Sequence, residues 1–171
     1  MRIYENARHI SPKIKVLVGP FVHAMPESIN RNPGPGFDGK GDMVRWFNYW
    51  LKDINDTDII SEPDITLFIR TNLTTGFYRY ESEWPISRQK NHRLFLSKEQ
   101  KLIDRENVDN SEIDTLLYRP WIGLEGGIWW GSSLEDQKMF DKYCLIYESE
   151  IIQETIEIIG FVNVSLQVKF S

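Results

Sequence analysis

The stretch "DMVRWFNYWLKDINDTDIISEPDITLFIR", residues 42–70, carries the chain from one kind of structure into another. Met43, Trp46, Phe47, Trp50 and Ile54 recur at i, i+3, i+4, i+7 and i+11, the apolar stripe of a helix whose Trp46 and Trp50 are expected to pack in the core, with Asp42 near its positive end. The polar run "DINDTD" then breaks the pattern. Beyond Pro63, "DITLFIRTN" is rich in β-branched and aromatic residues and reads as a strand. A boundary is therefore expected near residue 60, with residues 1–60 the end of an α/β unit and residues 61–171 a mostly antiparallel β domain.

Upstream, "KIKVLVGP" (13–20) reads as a short buried strand stopped by Gly19-Pro20. A Pro/Gly-rich loop follows, from Met25 to Gly41. Downstream, "GFYRYESEW", "HRLFLS" and "YCLIYESE" read as short strands between turns. In "FVNVSLQVKF" (161–170), Val162, Val164, Leu166, Val168 and Phe170 share one face with a period of two. About five or six strands are expected, fewer than the seven or eight of a β-sandwich. A lone strand, loop and helix also cannot form a covered parallel sheet. The expectation is a fragment of a larger protein, with self-association through the exposed edge of 161–170.

Composition narrows the function classes. With 41% apolar and 13% aromatic residues the chain can build a core, and a formal charge of −5 argues against a nucleic-acid partner. No apolar run is long enough for a membrane span. The N-terminus lacks the apolar core of a signal peptide, so a cytoplasmic location is expected. The lone Cys144 excludes an internal disulfide and a cysteine-based zinc site, and its setting suggests a buried structural thiol.

Two motifs invite chemistry and fail on inspection. Gly34, Gly39 and Lys40 match the spacing of a phosphate-binding loop, but Gly41 stands where a magnesium-holding hydroxyl is required, and no strand feeds the loop directly. A calcium loop starting at Asp53 would need Gly at its sixth position and Glu at its twelfth, where Asp58 and Asp64 stand. Among the histidines, His9 and His92 lie in polar surroundings. His23 follows the strand that ends at Gly19-Pro20, where α/β folds place functional groups. An imidazole there can act as a general base, although from spacing alone a plain loop histidine is the stronger reading.

Taken together, "VGPFVHAMPE", "GPGFDGKGDMVRWFNYWLKDI", "SEPDITLFIR" and "GFYRYESEWP" resemble, in this order, the cocaine-esterase/X-Pro dipeptidyl-peptidase family of serine hydrolases. "GGIWWGSSLEDQ" and "YCLIYESE" continue the likeness. The resemblance implies an α/β-hydrolase remnant followed by a jelly-roll β-sandwich, galactose-binding-like and incomplete. It implies that His23 is the triad base and that no cofactor or metal is needed. The substrate would be an ester, an amide or an X-Pro peptide. Phe21 replaces the family's Trp, Asn48 its helix Asp, and Asp53 its Gly. No G-x-S-x-G elbow occurs, so the nucleophile and the acid are absent and the chain alone is expected to be inactive, completed by an upstream hydrolase segment. The alternative is a non-catalytic jelly-roll binding or docking module. Trp84, Trp121, Trp129 and Trp130 are expected either to pack or to wall an acyl pocket.

Overall fold

A computed structural model describes residues 1–11, 13–21, 25–27, 34–55, 57–104, 113–122 and 138–170. They form a small mixed α/β structure with one three-stranded and one two-stranded sheet. In chain order the elements are α1 (Arg2–Ala7), β1 (Val16–Val18), α2 (Gly39–Lys52), a 3₁₀ turn (Asp58–Ile60), β2 (Ile65–Arg70), β3 (Gly76–Glu81), β4 (Phe95–Ser97), β5 (Lys101–Ile103) and α3 (Lys138–Asp141). The chain divides into two compact units, 1–87 with 119–140, and 88–118 with 141–171.

In the first unit β2 is the central strand. It pairs parallel with β1, Val16 opposite Ile65 through Val18 opposite Leu67, and antiparallel with β3, Ile65 opposite Glu81 through Arg70 opposite Gly76. β1 precedes residue 60 and β2 follows it, so one sheet draws on both sides of that position. Ile65, Thr66 and Leu67 are all buried, as a strand covered on both faces requires. The core adds Tyr4 from α1, Ile59 from the 3₁₀ turn, and Trp84, Ile86 and Phe140. The β2–β3 turn is held by Asn72, whose Oδ1 accepts from the amides of Thr74 (2.8 Å) and Thr75 (2.9 Å).

α2 begins earlier than its apolar pattern because Asp38 caps it, accepting from the Gly41 amide at 2.9 Å. It ends at Lys52, where the polar run begins, and Asp53 takes the left-handed conformation at φ 52°. Non-glycine residues are strained there, and a carboxylate also opposes the negative end of the helix dipole. Asp53→Gly is therefore expected to raise stability by about 0.5–1 kcal/mol, after allowing for the greater freedom of glycine in the unfolded chain. Thermal denaturation checks this, and an unchanged or lowered Tm would count against the strain.

The helix differs from expectation in its orientation. A stripe of this kind is expected to face the core, yet Met43, Phe47, Trp50 and Ile54 are all exposed, and only Gly39 of the helix is buried. The reason is electrostatic: Arg45, on the opposite face, is gripped by Glu62 ahead of β2, with Asp42 bonded to Arg45 within the helix, and this leaves the stripe on the outward side.

In the second unit β4 and β5 form an antiparallel hairpin, Phe95 opposite Ile103. Glu148 adds one bridge to Lys101, so among the described residues "YCLIYESE" forms a single β-bridge where a full strand is expected. Cys144 is exposed, which corrects the expectation of a buried thiol. Residues 161–170 form no ladder with the other described residues and are exposed along their length. Their alternation marks which face could be buried, but a strand also needs a neighbour's amides and carbonyls, and local pattern does not supply those.

Candidate functional site

The expected catalytic residue, His23, lies outside the described residues, as do Trp129, Trp130, Ser132 and Ser133. Its approach is described. β1 ends at Val18, and at Gly19 the chain turns so tightly that a side chain there would sit 2.8 Å from Cε2 of Phe21. The Phe21 ring is folded back over the glycine, so a larger residue at position 19 would require that ring to swing away. His9 and His92 are exposed. Trp84 is buried in the core of its unit, whereas Trp121 is partly exposed with Arg119 5.8 Å from its ring centroid.

The loop that resembles a phosphate cradle serves the hairpin and the helix. Gly34, at φ 88°, donates its amide to the Thr74 carbonyl at 3.1 Å. A Cβ at Gly34 would meet the Phe68 ring at 2.8 Å and the Gly76 carbonyl at 3.1 Å. Phe37 packs on Tyr78, and Tyr78 on Phe68, with ring centroids 5.1 and 5.2 Å apart. At the start of α2 the amides a phosphate would need already have acceptors: Lys40 N–H donates to Glu27 Oε1 at 2.6 Å and Gly41 N–H to Asp38. Two carboxylates stand where an anion would bind, which repels a phosphate.

The best-defined polar site in the first unit is a shallow cavity of about 220 Å³ at the start of β2, bordered by Lys15, Asp42, Arg45, Glu62, Thr66 and Tyr80. Arg45 donates through Nη1 to Glu62 Oε1 (2.6 Å) and through Nη2 to Glu62 Oε2 (3.2 Å) and Asp42 Oδ1 (2.5 Å). Lys15 pairs with Glu62, and Lys13 with Asp64. The Tyr4 hydroxyl donates to Asp64 Oδ2 at 3.4 Å. Desolvation, with Asp64 beside it, raises the Tyr4 pKa.

Hydrogen bonding from Arg45, aided by Lys15, holds the Glu62 carboxyl below its usual range, and the same contact raises Arg45 further above its own. Glu62 is therefore a poor base near neutral pH. The three cations and three carboxylates balance, and they tie α2 and the lead into β1 to the residues before β2. This site is a clamp.

Sequence reading overlooked the clamp, although its signal was present. Lys13 and Lys15 alternate before β1 just as Glu62 and Asp64 alternate before β2, and parallel neighbours bring such pairs together. Among the described residues, no group of His, Cys, Asp and Glu is placed to hold a metal ion, and no helix is long and apolar enough to cross a membrane. Comparison of the chain with protein-family models, curated proteins and solved structures found no match.

Proposed function

We propose that this chain is part of a serine hydrolase of the cocaine-esterase/X-Pro dipeptidyl-peptidase class and contributes the general base, His23. The observation that carries the reading is an order of elements. A strand stopped by Gly19-Pro20 is followed by His23, a Gly-rich loop, a Trp-rich helix and a Pro63-led strand, with β1, α2 and β2 formed at the corresponding positions. The left-handed Asp53 adds support, since it stands where the resembling family has glycine. From β2 onward, the proposal takes the chain into the opening strands of a jelly-roll β-sandwich.

In this reading His23 accepts the proton of a serine hydroxyl as the oxygen attacks an ester, amide or X-Pro carbonyl. The same imidazolium then protonates the departing alcohol or amine, leaving an acyl-enzyme that water hydrolyses. The serine and the orienting carboxylate come from a segment that supplies a G-x-S-x-G elbow. No metal or cofactor enters the reaction.

A fluorophosphonate probe tests the proposal. The isolated chain is expected to stay unlabelled, and co-expression with the polypeptide encoded upstream is expected to give labelling and esterase activity. His23→Ala should then lower that activity on the order of 10²–10⁴-fold. Labelling of the isolated chain, or full activity of the His23→Ala complex, would sink the proposal. The rival reading, a docking module without catalysis, has the outward stripe of α2 in its favour, and complementation without dependence on His23 would support it.

A further inference from the structure

We infer that the exposed face of α2 is a self-association surface, on which a second copy of this chain packs its own α2 antiparallel to the first. Met43, Val44, Phe47, Trp50 and Leu51 are between 41% and 74% exposed, an arrangement that leaves a contiguous apolar stripe in water. Trp50 is held at the edge of the stripe by Trp46 and Tyr49, with ring centroids 5.8 and 5.1 Å away.

Three features select a second copy as the occupant. The stripe is symmetric about Phe47: Met43 and Val44 stand four and three residues before it, and Trp50 and Leu51 three and four after. A twofold axis through Phe47 therefore sets Met43 against the other copy's Leu51 and Val44 against its Trp50, the self-complementarity that an isologous interface requires. The charges at the helix ends agree with this arrangement. Lys40 is exposed at the positive end and Asp53 at the negative end, each unfavourable within its own helix. Antiparallel pairing brings Lys40 beside the other copy's carboxyl end and its Asp53, so both misplaced charges gain opposite partners. Finally, Glu62 holds the opposite face through Arg45, which opposes rotation of the stripe inward.

One helix pair of this length makes an interface smaller than the standard size, so dimerisation is expected in the micromolar range. Sedimentation velocity between about 1 and 100 µM should show a twofold mass increase. Phe47→Asp should raise the dissociation constant at least about tenfold with an unchanged far-UV spectrum, because the side chain is exposed. Leu166→Lys, on the 161–170 segment, should leave dimerisation unaltered.

In a Cys144→Ser background, Phe47→Cys should give a disulfide-linked dimer on mild oxidation, and Lys52→Cys, on the opposite side of the helix, should not. A wild-type monomer throughout this range would overturn the inference. So would a dimer that survives Phe47→Asp or is lost with Leu166→Lys, or equal cross-linking by the two cysteine variants. The readouts are mass, cross-linking and helix content, and none is hydrolysis, so failure here leaves the hydrolase proposal standing, and the reverse also holds.

Discussion

Ile65→Ala is expected to lower the unfolding free energy by about 2–5 kcal/mol, the range for deleting a large side chain from a closed core. Ile65 is fully buried, and it opens the central strand, opposite Val16 on one side and Glu81 on the other. Alanine there removes apolar burial and leaves a cavity that flanking strands on both sides cannot easily collapse. Only Ile59 and Ile65 are fully buried large side chains among the described residues, so little other core can compensate. Urea denaturation measures the loss, with Leu73→Ala as a control. Leu73 is 83% exposed in the β2–β3 turn, and its truncation should change stability by no more than about 0.5 kcal/mol. A loss under about 1 kcal/mol at Ile65 would show that β2 is not the centre of the core.

Glu62→Gln should cost about 1–2 kcal/mol at neutral pH, less than a buried ion pair because Glu62 and Arg45 both keep partial contact with water. Its two-oxygen grip on Arg45 and its pairing with Lys15 put it above an ordinary surface pair. The variant leaves Lys15 and much of Arg45 without a counter-charge. The sign with pH follows from the depressed carboxyl of Glu62. Its stabilising contribution is complete above the unfolded carboxyl pKa of about 4.3 and disappears as pH falls through the lower, folded value. The gap between wild type and Glu62→Gln should therefore be full and constant above about pH 4.3 and close progressively as the pH falls below it. Added salt should narrow the gap at neutral pH. Urea denaturation at neutral and acid pH, with and without salt, checks both expectations; a gap that stays constant with pH would remove the electrostatic account of the clamp.

The clamp also explains where sequence reading of α2 succeeded and where it failed. Period and breakers located the helix to within a few residues, because apolar spacing and the Asp53–Asp58 run act locally. The same pattern suggested that the stripe faces inward. That inference assumes that the apolar side of a helix always finds the core, and here the Arg45–Glu62 pair holds the other side instead.

What the sequence by itself determined is local: the strand closed by Gly19-Pro20, the helix that follows the Gly-rich loop, and the strands at 65–70, 76–81 and 95–97. It also argued against a phosphate cradle, since Gly41 lacks the required hydroxyl, and the fold adds that Asp38 and Glu27 already take the helix amides. Only the tertiary structure decided that β1 and β2 share a parallel ladder, that Glu62 joins Arg45, that Cys144 is exposed and that residues 161–170 form no ladder with the other described residues. The physical reason is range. Turn chemistry and periodicity act over a few residues, whereas strand pairing and charge pairing join groups distant in sequence, and only the folded chain determines which of them meet.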